Sequence, residues 1–143
     1  MEPRIHYVRT SDGVSIAYSV LGEGEPLVHM SLLPLSHLQG EWEIPEQRRW
    51  YERLAQTRTV IRYDARGTGL SERRLTDLSL DARMLDLEVV VKRLNLGRFA
   101  IFAPLHAGPL AVAYAARNPE RVSHLILWCT YASGSAWARS PLV

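Results

Sequence analysis

The second half of the chain alternates between β-type and helical segments, and this alternation limits the fold more than any other feature. Three runs rich in β-branched, aromatic and other apolar residues predict strands at 59–63, 99–102 and Val122–Trp128. The segments between them predict helices at 79–94, where Ser79 is a candidate N-cap, and at 108–118. Strands joined by intervening helices form a parallel sheet with the helices on its faces.

The first half adds an antiparallel element to this sheet. Residues 5–9 alternate between apolar and polar types, Ser11-Asp12-Gly13 is a turn signal, and 14–20 is again rich in β-formers, which predicts a β-hairpin. A strand, a long loop and a helix follow, at 26–30, 31–45 and 46–56. The sequence therefore predicts an α/β fold with a mostly parallel sheet of about six strands, an antiparallel N-terminal hairpin and flanking helices.

Length and charge narrow the class of protein. The 143 residues fit one domain, predicted to span 1–143. A net charge of +2 with scattered arginines argues against a nucleic-acid partner, and no run of about 18 apolar residues predicts a membrane span. The single cysteine, Cys129, excludes an intrachain disulfide, favours a cytoplasmic location and is expected to be a small buried apolar residue.

Three stretches resemble the α/β-hydrolase family in order and spacing. They are the loop Tyr63-Asp64-Ala65-Arg66-Gly67-Thr68-Gly69-Leu70-Ser71, the unit formed by 99–102 and the helical 111–116, and Asn118-Pro119-Glu120-Arg121-Val122. The resemblance covers roughly residues 5–133 and implies a truncated α/β-hydrolase fold. The segments 5–9, 13–18 and 41–45 further resemble the hydrolase-like domains that precede bacterial nucleotide cyclase and transcriptional-regulator modules.

The resemblance also shows where the catalytic residues of the family would lie. The family places its nucleophilic serine in a Gly-x-Ser-x-Gly turn between strand and helix, the elbow. Here the elbow reads Ala103-Pro104-Leu105-His106-Ala107, with Leu105 at the serine position. The loop after the third strand, Met30-Ser31-Leu32-Leu33-Pro34, has no glycine, and the acid and histidine of the family would fall beyond Val143. We therefore expect a domain without the Ser-His-Asp triad.

The candidate ligand pocket collects residues that such a fold brings to the carboxyl ends of its strands: His29, Ser31, His37, Asp64, Leu105 and His106. His106 has a second interpretation, as a general base or nucleophile in place of the serine. Asp64 is expected to be structural, accepting hydrogen bonds from backbone N–H groups and from Arg66. The histidines lack metal-ligand spacing, so neither a metal nor a cofactor is predicted. The rings of Trp42, Trp50 and Tyr63 either pack in the core or line the pocket.

Three functional hypotheses follow. The first is a non-catalytic domain that binds a small apolar or acyl-type ligand, or serves as a sensor or interaction module. The second is a small hydrolase acting on ester bonds through a site around His106, completed by dimerisation. The third is a fragment that is stable only when self-associated. We expect Val122–Trp128 to lie at an exposed sheet edge, which predicts a homodimer through that edge.

Overall fold

The computed structural model describes residues 2–141, so the first residue and the last two of the predicted domain lie outside it. Six strands form one sheet: β1 His6–Arg9, β2 Ser15–Leu21, β3 Glu25–His29, β4 Arg58–Tyr63, β5 Phe99–Pro104 and β6 Val122–Trp128. Five α-helices accompany them: α1 Leu38–Glu43, α2 Pro45–Ala55, α3 Leu80–Arg93, α4 Gly108–Arg117 and α5 Gly134–Ala138. No helix in this part of the chain is long and apolar enough to cross a bilayer.

The sheet confirms the predicted α/β class. Its strand order is β1-β2-β4-β3-β5-β6. The β1–β2 hairpin is antiparallel, and β2 also pairs antiparallel with β4. The remaining neighbours, β4 with β3, β3 with β5 and β5 with β6, are parallel. The carboxyl ends of these four parallel strands therefore meet at one edge, where open α/β sheets bind ligands.

Apolar residues cover both faces of the sheet. The larger cluster packs α3 and α4 against the sheet and includes Ile61, Leu87 and Ile101, all fully buried. The smaller cluster, beneath α1 and α2, includes Val60 and Tyr51. Val60 and Ile61 are consecutive on β4 and point to opposite faces, as the period of two in a strand requires.

Helix α3 forms where the sequence predicted it. The Ser79 side chain accepts a hydrogen bond from the backbone N–H of Ala82, which satisfies a donor of the first turn. Met84, Leu87 and Val91 recur at helical spacing and are buried against the sheet. The amphipathic pattern and the cap together fix both the start and the orientation of this helix.

Two segments and one residue differ from expectation. The predicted loop 31–45 contains α1, which begins where the His37 Nδ1 accepts from Gly40 N–H and the Glu41 carboxylate accepts from His37 N–H. The segment after β6, for which the sequence predicted no helix, contains α5. Cys129 is exposed rather than buried because it lies just beyond the edge strand β6.

The loop after β4 is anchored by Arg66. Its guanidinium binds the buried Asp86 of α3 through Nε at 2.9 Å and binds Asp12 of the hairpin turn through two nitrogens, at 2.7 and 3.0 Å. These hydrogen bonds lower the pKa of Asp12 to about 2. The prediction that Arg66 donates to Asp64 is therefore wrong, since both of its carboxylate partners lie on other elements.

Candidate functional site

The elbow places Leu105 in a strained conformation. Strand β5 ends at Pro104, Leu105 has φ +49°, and a short 3-10 turn over Leu105–Ala107 leads into α4. A leucine in this left-handed region costs about 1–2 kcal/mol relative to ordinary backbone. The turn expected of a nucleophile elbow has therefore formed with a leucine at its strained position.

Contacts with the segment after β6 hold the elbow in place. The Thr130 hydroxyl donates a hydrogen bond to the Leu105 carbonyl. Gly108, the first residue of α4, lies so close to this segment that a Cβ there would be 2.7 Å from the Tyr131 carbonyl oxygen. The close approach requires glycine, and it fixes the direction in which the chain leaves the elbow.

Leu105 faces an apolar cleft of about 620 Å³ at the carboxyl edge of the sheet. Its walls are mainly aromatic, formed by His29, Trp50, Tyr51, Phe102 and Trp128. The His29 and Phe102 ring centroids are 4.8 Å apart, and those of Trp50 and Phe102 are 6.0 Å apart. A concave site of this size and composition suits a small apolar molecule.

His29 is held as a neutral ring in the cleft wall. The indole N–H of Trp50 donates to His29 Nε2 at 3.1 Å, and His29 Nδ1 lies 3.2 Å from the Met30 carbonyl. Because the indole nitrogen only donates, Nε2 carries no proton and Nδ1 is the donor. Burial, reinforced by the positive charge of Arg62, lowers the pKa of His29 to about 4. Both ring nitrogens are thus engaged and the ring is uncharged at neutral pH.

A buried ionic network supports the wall from behind. Arg62 of β4 donates to Glu41 at 2.7 Å, and the Tyr51 hydroxyl donates to the same carboxylate at 2.5 Å. The Arg62 guanidinium carbon also lies 3.7 Å from the Tyr51 ring centroid. Burial raises the pKa of the Tyr51 hydroxyl above its usual range. Tyr51 is therefore a fixed, neutral part of the cleft wall.

Ser31 and Asp64 lie near the cleft but serve the loops around it. The Ser31 hydroxyl donates to the Tyr63 carbonyl and accepts from Ala65 N–H. Asp64 is fully buried and accepts from the Ser36 hydroxyl at 2.7 Å and from two backbone N–H groups, those of Leu38 and Leu70. Their polar atoms are occupied by hydrogen bonds within the protein.

His37 and His106 lie away from the cleft. His37 is the N-cap of α1. His106 is exposed and lines a different cavity, although it directly follows Leu105, and its Nδ1 lies 2.6 Å from the Tyr131 hydroxyl. Of the six residues of the candidate pocket, the structure therefore brings only His29 and Leu105 together in the cleft.

Several wall residues of the cleft were not predicted from the sequence. Trp50 lines the cleft, whereas Trp42 and Tyr63 pack in the core. The sequence does not predict Tyr51, Phe102 and Trp128 as neighbours, because they come from a helix and two strands that meet only in the folded protein. The one available signal was the position of Phe102 and Trp128 near the ends of parallel strands.

The cleft offers aromatic contact but no covalent chemistry of the usual kind. Its nine lining residues include no serine, threonine, cysteine or carboxylate. Within residues 2–141, no cluster of three or more potential metal-ligating side chains occurs. What the arrangement can do is bind an apolar group against its aromatic rings.

Comparisons with known proteins agree with this geometry. The family model for the alpha/beta hydrolase fold matches residues 38–141. AB hydrolase superfamily protein YisY of Bacillus subtilis is 26% identical over 113 residues, which cover 79% of this chain and 40% of that protein. The structure of epoxide hydrolase CorEH without ligand has a TM-score of 0.80 at 26% identity. The match covers 93% of this chain and 44% of the CorEH chain.

A third relative is Est816, described as an N-acyl homoserine lactone degrading enzyme. Its structure has a TM-score of 0.79 at 26% identity. The match covers 95% of this chain and 49% of the Est816 chain. The chain thus spans less than half the length of the relatives it matches. These relatives support the hydrolase fold. They do not test the narrower resemblance to domains that precede nucleotide cyclase and transcriptional-regulator modules, which stays a prediction. With its strand order, its elbow and a family match over residues 38–141, the chain belongs to the alpha/beta hydrolase fold family.

Proposed function

We propose that this hydrolase-fold domain binds a small apolar or acyl-type ligand in the cleft beside Leu105 and does not hydrolyse it. The observation that carries the proposal is Leu105 itself, which has the strained backbone of the nucleophile position and faces an aromatic cleft. A leucine side chain has no atom that can attack a carbonyl, but it adds apolar surface to a binding site.

The lining of the cleft supports an apolar ligand over a charged one. Five of the nine lining residues carry aromatic rings, and the only lining amide is that of Gln47. The His29 ring is neutral, so the wall holds no formal charge at neutral pH. The names of two relatives, an epoxide hydrolase and an N-acyl homoserine lactone degrading enzyme, favour small organic molecules and, in the second, an acyl chain.

Neighbouring polar groups do not replace the missing nucleophile. Ser31 donates to Tyr63, Asp64 accepts from loop donors, and His29 uses both of its ring nitrogens. An activated nucleophile needs a base within hydrogen-bond reach, and these groups are committed to other partners. We therefore expect the domain to act by binding a ligand in the cleft, as a sensor or interaction module in the cytoplasm would.

The alternative is a hydrolase that uses His106. One observation favours it: the 2.6 Å contact between His106 Nδ1 and the Tyr131 hydroxyl can orient the imidazole, as a base is oriented by a third group. Against it, His106 lines a cavity other than the aromatic cleft. This alternative predicts saturable ester turnover that disappears in His106→Ala.

The binding proposal is tested by filling the cleft. N-phenyl-1-naphthylamine, a neutral probe that fluoresces in apolar sites, is titrated into the wild type and displaced with N-octanoyl homoserine lactone. We expect Leu105→Trp to weaken probe binding by about tenfold or more, since the larger ring occupies the cleft. The matched control is Leu35→Trp, at a leucine that is 78% exposed and does not line the cleft.

Three outcomes decide the test. Loss of binding in Leu105→Trp with retention in Leu35→Trp supports the cleft as the site. Equal binding in both variants removes the cleft as the site. No binding of the probe to the wild type contradicts the proposal of an apolar binding domain.

We also propose a homodimer through strand β6. Within residues 2–141 this strand pairs only with β5, and Ile126, Leu127 and Trp128 are 45–56% exposed. Consecutive exposed residues in a strand place apolar surface on both faces of the edge, beside unpaired backbone groups. An antiparallel pairing of two β6 strands about a two-fold axis covers these groups with an identical copy.

A further inference from the structure

We infer a second ligand site, specific for a small carboxylate with an apolar body, in the cavity around Arg83. This cavity, about 510 Å³ in volume, lies between the loop after β3, the first turn of α3 and the start of α4. It shares no lining residue with the cleft beside Leu105. The site therefore goes beyond the proposed function and stands or falls separately from it.

The strongest evidence is a guanidinium nitrogen without a hydrogen-bond partner. The Nε of Arg83 is the only buried side-chain nitrogen or oxygen without a hydrogen-bond partner among residues 2–141. Two aspartates on the same helix already have other partners, since Asp81 pairs with Arg117 and Asp86 pairs with Arg66. A buried donor without a partner is costly. Because this nitrogen is closed to solvent, we expect the guanidinium to turn towards the cavity when a ligand becomes its partner.

The chemistry of the cavity identifies that partner as an anion. The nine residues that line it include Arg83 but no aspartate or glutamate. A guanidinium presents several donors in one plane, which match the two oxygens of a carboxylate. The residues at the start of α4, Pro109 and Leu110, also line the cavity, so the positive end of that helix dipole favours negative charge there.

The His106–Tyr131 pair supplies a further donor. If Tyr131 donates to His106 Nδ1, the opposite ring nitrogen of the histidine keeps its proton; if Nδ1 donates, the tyrosine hydroxyl keeps its own. Either arrangement leaves one N–H or O–H for a ligand. The Trp137 ring stacks on Tyr131 with centroids 5.2 Å apart, which restricts the tyrosine to this position.

The rest of the cavity is apolar and limits the body of the ligand. Leucines and prolines supply most of the remaining lining: Leu33, Pro34, Leu80, Pro109 and Leu110. These side chains favour a compact hydrocarbon or ring over a polyanion or a sugar acid. A monocarboxylate such as benzoate has the required charge and size.

The test uses sodium benzoate as the probe, measured by isothermal titration calorimetry with the full chain. We expect Arg83→Met to weaken benzoate binding by about tenfold or more, because the charge-assisted hydrogen bonds are lost while the apolar stem is kept. The matched control is Arg93→Met, on the same helix but exposed and outside the cavity. Benzyl alcohol, which keeps the ring and lacks the charge, is expected to bind the wild type at least about tenfold more weakly.

A spectroscopic measurement on the wild type keeps the proposal testable if a variant does not fold. In nitrogen-15 spectra, the Arg83 Nε–H signal should move on addition of benzoate and not on addition of benzyl alcohol. The probe N-phenyl-1-naphthylamine reports on the other cleft, and its affinity should be the same in Arg83→Met as in the wild type. Absence of benzoate binding, an unmoved Nε–H signal, or equal losses in Arg83→Met and Arg93→Met would each overturn the proposal.

Discussion

At the scale of single residues, Leu105 combines a backbone suited to catalysis with a side chain suited to binding. The conformation with φ +49° costs about 1–2 kcal/mol for a leucine, and the hydrogen bond from the Thr130 hydroxyl to the Leu105 carbonyl helps to offset that cost. The elbow differs from Gly-x-Ser-x-Gly at all three motif positions, and it keeps the turn while losing the nucleophile. The side chain that remains forms part of the wall of an aromatic cleft.

His29 makes stability depend on pH. Its pKa is about 4 in the folded protein, against an ordinary value of 6.5, so the unfolded chain binds a proton more readily. Neutral His29 therefore makes its full contribution to the free energy of unfolding above pH 6.5. That contribution decreases as the pH falls towards 4, by about 3 kcal/mol in all. Asp12, whose pKa is lowered to about 2, adds a separate loss below pH 3.8.

The measurement is urea unfolding of the wild type, His29→Gln and His124→Gln at pH 7 and pH 4.5. We expect His29→Gln to remove most of the decrease in the free energy of unfolding between these two pH values, because glutamine does not titrate. His124 is exposed, so His124→Gln should behave like the wild type. An equal decrease in all three proteins would show that His29 is not the group responsible.

At the scale of elements, the Arg66 contacts hold three pieces of the fold together: the loop after β4, helix α3 and the turn of the β1–β2 hairpin. The Arg66 and Asp86 side chains are almost completely buried. Removal of one partner leaves the other as an uncompensated buried charge, which costs about 3–5 kcal/mol. Arg66→Met should therefore lower the free energy of unfolding by about that amount.

The exposed pair between Arg117 and Asp81 is the matched comparison. Both side chains are more than half exposed, and such pairs contribute about 0–1 kcal/mol. Chemical denaturation of Arg66→Met and Arg117→Met, each compared with the wild type, measures the difference. Similar losses in the two variants would mean that the Arg66 network does not anchor these elements.

The elements that sequence predicted are those with strong local signals. Helix α3 has its serine cap and apolar period, and the predicted limits of β6 match the structure. Helix α1 was missed because it is only six residues long and its start depends on hydrogen bonds between His37, Gly40 and Glu41. A histidine cap is a weak sequence signal beside serine, aspartate or asparagine.

At the scale of the whole molecule, alternation of strands and helices predicts the fold class, and the elbow motif predicts the position of Leu105. The separation of Leu105 and His106 into two cavities was not predictable, because it depends on how a tight turn directs consecutive side chains. The aromatic cleft was not predictable as a unit either, since Trp50, Phe102 and Trp128 come from distant parts of the chain. Long-range packing, which local patterns do not encode, brings them together.

Association through β6 is also a property of the whole molecule. We expect light scattering at tens of micromolar protein to show a dimer, and Leu127→Lys to shift it to a monomer by placing charge on the edge. Leu35→Lys, at an exposed leucine elsewhere, should remain dimeric. A monodisperse wild-type monomer would rule out the proposed dimer.

Binding without turnover is the central claim, and it is tested most directly by an assay of p-nitrophenyl acetate hydrolysis with the wild type and His106→Ala. The claim predicts that neither protein releases p-nitrophenol in a saturable manner above the rate of the buffer, although the cleft binds N-phenyl-1-naphthylamine. Saturable turnover by the wild type that is abolished in His106→Ala would contradict it and establish the hydrolase alternative.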